Sequence, residues 1–152
     1  MQLTQKESML LSDLKSEEKL CIEKYTKYSQ QAKDPQLCEL FSQIAKVESS
    51  HLMTIQELEK GSVTQPSGNA PTITKNYFTP AYSGVENEDK QSDAYLCSDL
   101  LMTEKHASDL YNTSVFEFKD DNFRNKLNHI QKEEQEHGKL VYDYMQANGM
   151  YS

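Results

Sequence analysis

Glu48 and His51 stand three residues apart, as do Glu134 and His137. At that spacing a Glu and a His share one face of a helix, so both can reach a single ion. Thirty residues before each pair comes a lone glutamate, Glu18 before Glu48 and Glu104 before Glu134. Helix bundles that bind two metals use this set: one Glu from each of two helices and a Glu-x-x-His from each of the others. Charge explains the choice. Four buried carboxylates repel one another and are costly to desolvate, whereas two divalent cations neutralise them and two neutral imidazoles add nothing. The residues therefore predict two divalent metal ions held by Glu18, Glu48, His51, Glu104, Glu134 and His137. Imidazole and carboxylate suit iron, manganese and zinc alike, with iron or manganese required for redox work. The alternative is a site retained in outline but empty, its carboxyls protonated or bridged by water.

Several other residues border this set. Tyr25 and Tyr111 follow the lone glutamates by seven residues on the same face. Each is expected either to hydrogen-bond a ligand carboxylate across the bundle or to be an ordinary core tyrosine. His106 and His129 fall off the stripe and read as surface residues. Glu17, Glu133 and Glu136 border the ligands but point elsewhere by phase. Gly138 in mid-helix costs about 1 kcal/mol relative to Ala, and reads as a place where a neighbouring helix approaches closely.

Four amphipathic helices must position these residues. Spacings of three and four mark a buried stripe on each. The first is Leu11, Leu14, Glu18, Cys21, Tyr25, Tyr28 and Ala32; the second is Leu37, Phe41, Ile44, Glu48, His51, Ile55 and Leu58. The third is Cys97, Leu100, Glu104, Ala107, Tyr111, Ser114 and Phe118; the fourth is Phe123, Leu127, Ile130, Glu134, His137, Val141 and Tyr144. Thr4-x-x-Glu7 has the form of a capping box, and Asp34-Pro35 and Asp120 mark restarts. Helices are expected near 4–32, 35–60, 91–118 and 121–147.

The two halves repeat. A shift of 86 residues gives thirteen identities over positions 10–51, among them Glu18 with Glu104, Tyr25 with Tyr111, Glu48 with Glu134 and His51 with His137. Chance at roughly one in seventeen per position gives about two or three. Between the halves, 61–90 holds Gly61, Gly68 and Gly84 with Pro66, Pro71 and Pro80. So long a connection suits a link between opposite ends of a bundle, with Tyr77, Phe78 and Tyr82 pinning it down. The expected architecture is a single all-α domain over 1–152: helical hairpin 4–60, crossover linker 61–90, helical hairpin 91–147.

Composition excludes several alternatives. With 36% apolar and 26% charged residues, five Gly and four Pro, the chain favours long helices over a many-stranded sheet. A net charge of −8 argues against nucleic acid and anionic membranes. No apolar run approaches the roughly 20 residues of a membrane span, and no basic-then-apolar signal segment opens the chain. Synthesis and retention inside the cell are expected. Cys21, Cys38 and Cys97 are odd in number and form no C-x-x-C, so they read as spare thiols in a reducing compartment.

At the repeated E-x29-E-x-x-H the chain resembles the ferritin-like superfamily, including rubrerythrins, whose ligand-helix pattern Glu18, Tyr25, Glu48 and His51 match. The rubredoxin-like part of a complete rubrerythrin is absent, and a storage cage fits poorly because no short fifth helix follows the fourth. A narrower resemblance is to the spore coat F family of spore-forming Firmicutes. It is carried by LLSDLKSEEKLCIEKY, DPQLCELFSQIA, LCSDLLMTEKHASDLYNTSVFEF and LNHIQKEEQEHGKLVYDYMQANGMY. That resemblance implies a small protein made in the sporulating mother cell and laid down in the spore coat. Its partners would be other coat proteins and a second copy of the chain. No particular reaction is implied. Two functions follow as expectations: a metal-binding protein that consumes peroxide or oxygen or holds metal, and a structural coat component.

Overall fold

A computed structural model describes residues 2–63, 70–73 and 77–150. Pro66 and Gly68 of the linker lie outside the described residues. The elements are α1 (Gln5–Gln31), α2 (Pro35–Glu59), α3 (Glu88–Glu117) and α4 (Asp121–Ala147), and no strand occurs among the described residues.

Helix ends follow the local chemistry. Thr4 Oγ1 accepts from the Glu7 amide at 3.1 Å while Glu7 Oε1 accepts from the Thr4 amide at 2.9 Å, so two amides left over by the helix are satisfied reciprocally. Asp34 caps α2 by accepting from the Gln36 amide, with Pro35 in the first turn, and Asp120 caps α4 by accepting from the Phe123 amide. α3 starts three residues earlier than the expected 91. Asn87 supplies the cap there, its side chain accepting from the Lys90 amide at 2.8 Å. After α2 and α4, Gly61 (φ 77°) and Gly149 (φ 64°) take the left-handed turn that closes the last carbonyls.

α1 packs on α2 and α3, and α4 packs on α3 and α2. Contacts such as Lys6–Glu117, Tyr25–Glu104 and Lys33–Asp93 run in opposite chain directions, so α1 and α3 are antiparallel. α2 and α3 are therefore parallel, and the chain between them must travel the length of the bundle. Its return is fastened at one end. Phe78 meets Tyr144 edge to face, the Tyr82 hydroxyl donates to Asp93 at 2.9 Å, and Asn148 Oδ1 accepts from the amides of Ala81 and Tyr82. Tyr77 does not join them: it is 73% exposed. Fully buried Asp93 also accepts from the amides of Lys33 and Asp34, tying the α1–α2 turn to α3.

The expected stripes are buried at every position except Tyr28, which is half-buried because its hydroxyl turns outward to Asp99 at 2.7 Å. Apolar residues gather in two clusters. One holds Tyr25, Leu37, Phe41, Ile44, Leu100, Val141 and Tyr144; the other holds Leu11, Leu14, Ile55, Leu58, Phe118, Phe123 and Leu127. Between them along all four helices lies a layer of acids and imidazoles. No helix among the described residues is long and apolar enough to cross a membrane.

Candidate metal centre

Each helix supplies the polar layer from the middle of its buried stripe, where the apolar layers above and below exclude water. Glu18, Glu48 and Glu134 have no exposed surface, and Glu104, His51 and His137 have almost none. All six sequence-predicted ligands come together. Ligand atoms of Glu18, Glu48, His51 and Glu134 lie within 4.8 Å of one another, and so do those of Glu48, Glu104, Glu134 and His137. Glu48 and Glu134 are common to both groups, as carboxylates bridging two ions would be. No other group of this kind occurs among the described residues.

Both imidazoles aim Nδ1 inward. His51 Nδ1 is 2.8 Å from Glu134 Oε1 and 3.3 Å from Glu48 Oε1. His137 Nδ1 is 3.0 Å from Glu48 Oε1 and 3.6 Å from Glu104 Oε1. The rings stack with centroids 5.9 Å apart. Tyr25 donates to Glu104 Oε1 at 2.7 Å and Tyr111 donates to Glu18 Oε1 at 2.5 Å, so each half's tyrosine holds the other half's glutamate. Both tyrosines are fully buried in the core, and each hydroxyl is satisfied by one of these carboxylates.

Much of the layer has no hydrogen-bond partner. Glu18 Oε2, both oxygens of Glu48, Glu104 Oε2, Glu134 Oε2 and His137 Nδ1 are buried and unsatisfied; the approach of His137 to Glu48 is close but not aligned for a bond. Among the described residues every buried side-chain polar atom of this kind belongs to the cluster. Leaving a buried polar atom unpaired costs about 1–3 kcal/mol, more when charged. Five residues with orphaned atoms at one spot form a set of donors that could hold a cation.

Protons partly fill that role. Burial, then the Glu48 charge, pushes Glu18 up to about 7. Burial, then Glu104 and Glu48, holds Glu134 well above the usual carboxyl range. For His137 burial works against the charged form, but Glu104 and Glu48 outweigh it and raise it to about 9. Burial is likewise outweighed at His51, where Glu133, Glu134, Glu18 and Glu48 hold the imidazole well above its ordinary value. Glu48 goes the other way, because the two imidazoles close to it, His137 and His51, overcome its burial and hold it well below the ordinary value. The buried acids thus keep two imidazolium ions as stand-in cations.

Three sequence readings need correction. Glu133 is not turned away: its Oε1 lies 2.9 Å from His51 Nε2, on the far side of the ring from the cluster. Its position beside the stripe lets the long side chain reach sideways onto an imidazole from α2. The signal was the second nitrogen of a ligand histidine, which needs an acceptor. Glu17 is buried too, against the Cys21 thiol at 3.9 Å and His106 at 3.6 Å, and burial raises its carboxyl. At Gly138 no helix presses close. An added Cβ would sit 3.8 Å from Leu101 Cδ1 and 3.9 Å from Glu104 Cβ, which is ordinary contact. Glu136, His106 and His129 are exposed, as their phase requires.

Residues 92–152 match the family model of the Coat F domain. The matched stretch carries nearly all of α3 and all of α4, hence Glu104, Glu134 and His137 but not the first-half ligands. No curated protein and no solved structure matches the chain.

Proposed function

We propose that the whole chain works as one ferritin-like domain of the spore coat that holds a carboxylate-bridged pair of divalent metal ions, iron or manganese. The observation that carries the metal reading is the set of orphaned buried oxygens, all in one polar layer and all of a type that hard and borderline cations accept. The Coat F match supports the coat location and, with it, other coat proteins as partners.

In this reading Glu18 and His51 hold one ion, Glu104 and His137 hold the other, and Glu48 and Glu134 serve both. A bound iron or manganese pair would supply a redox-active Lewis acid able to consume dioxygen or peroxide. The protein's own part is orientation. Tyr25 and Tyr111 each occupy one oxygen of Glu104 and Glu18, which leaves the second oxygen of each free for the centre. Glu133 takes the Nε2 proton of His51, so the Nδ1 lone pair faces inward once the ring is neutral. The flanking apolar layers keep bulk water out.

One observation favours a second reading, a structural coat component with an empty site. Protons on His51, His137 and Glu18 already offset much of the carboxylate charge, so the fold can persist without metal. Metal analysis of protein purified without chelator separates the two. Two ions per chain are expected, and none in a Glu48→Ala/Glu134→Ala variant. Added iron(II) or manganese(II) at about a thousand times Kd stabilises by about 4 kcal/mol, raising the wild-type Tm by roughly 10 °C and the variant's not at all. Equal responses would leave the structural reading standing.

A further inference from the structure

The two hairpins differ where the polar layer meets the surface. Between α3 and α4 a groove of about 310 Å³ is lined by Leu101, Glu104, Ser108, Glu134 and Gly138. Glu104 and Glu134 are buried ligand candidates, so part of the groove's wall is formed by two residues of the polar layer. Three of the unsatisfied atoms, Glu104 Oε2, Glu134 Oε2 and His137 Nδ1, belong to this side.

Gly138 helps to shape that opening. Helix packing does not demand glycine there, since a Cβ would make only ordinary contacts, yet a mid-helix glycine weakens α4 by about 1 kcal/mol relative to Ala. The repeat supplies the control. At the position equivalent to Gly138 the first hairpin carries Leu52, half-buried, and opposite it Lys15 stands in place of Leu101. The groove has room for several molecules of water size, each about 30 Å³. Lys105 and Asp109 at its rim offset one another, and the inner carboxylates repel anions.

We propose that this groove is the port by which small uncharged molecules, of the size of dioxygen or hydrogen peroxide, reach the Glu104/His137 side of the centre, and that Gly138 keeps it open. This rests on the metal reading above.

The test uses the full chain loaded with iron(II), with nitric oxide as a neutral probe of dioxygen size. Iron per chain is measured first, and nitric oxide association is then followed by stopped-flow absorbance. Gly138→Leu, which copies the first hairpin, should slow association by roughly tenfold or more, the scale of a steric overlap in a packed site. Leu101→Phe narrows the groove from the opposite wall with the sequence of α4 unchanged and should act in the same direction. Iron content, helix content and Tm are compared for each. Wild-type association rates in both folded, iron-replete variants would overturn the port. A wild-type chain that takes up no iron would overturn the metal reading, and the port with it, before nitric oxide is added.

Discussion

The half of the centre built on His51 and the half built on His137 carry the same ligands in different surroundings. His51 is braced from behind by Glu133, whereas the residue at the equivalent place beside His137 is Val47, buried and apolar. Gly138 lies by a groove, and its counterpart is Leu52. The two halves thus keep the same four acids and two imidazoles and differ in the residues around them. One half has a carboxylate behind its imidazole; the other has a groove beside Gly138.

The largest expected effect concerns protons. His137 is raised from its ordinary 6.5 to about 9, so the folded state holds this proton more tightly than the unfolded chain. That stability is fully present below pH 6.5 and is lost as pH rises toward 9. Glu18 has the same sign, since its folded value near 7 exceeds the ordinary 4.5 and the folded state again binds more protons. Glu48, held low, opposes them only as pH falls below its ordinary range. Metal-free protein should therefore melt progressively lower from about pH 5 to 9, by a few kcal/mol. Loaded protein should lose much of that dependence. A flat melting profile for the metal-free chain would contradict the proton-for-metal exchange in both halves. Ring-carbon NMR sharpens the comparison: His137 and His51 should both keep their protons above the ordinary imidazole range.

A smaller effect isolates the brace. Glu133→Gln should weaken one of the two ions by about 10–100-fold, the usual cost of removing a carboxylate behind a ligand histidine, and leave the other near its original affinity. Calorimetric titration with manganese(II) would resolve the two steps. Equal weakening of both ions would mean that the halves act as one unit.

The smallest effect is on the groove side. Gly138→Ala fits the space beside Leu101 and Glu104 and should stabilise the metal-free chain by up to about 1 kcal/mol through helix propensity. Chemical denaturation measures it. A loss of stability would mean that a contact closer than those around Gly138 governs the site.

How much of this was legible beforehand depends on the kind of contact. The capping box at Thr4 and the restarts at Asp34 and Asp120 are local, needing only residues within one turn, and they appear as read. The stripes and six ligand positions follow from the 3.6-residue period, which assigns a side chain to a face whatever lies opposite. Asn87 was missed as a cap because the three residues after it extend α3 beyond the stripe that betrayed the helix.

By itself, then, the sequence determined four helices, their buried faces and the level at which six acids and imidazoles meet, because periodicity and capping act along one helix. Only the tertiary structure decided which tyrosine holds which glutamate, that Glu133 reaches His51, that Tyr77 stays outside while Asp93 and Asn148 fasten the linker, and that Gly138 borders a groove instead of a tight crossing. Those outcomes depend on the rotation and separation of neighbouring helices. A residue beside the stripe turns inward or outward with a modest change in either, and no spacing along one chain encodes that.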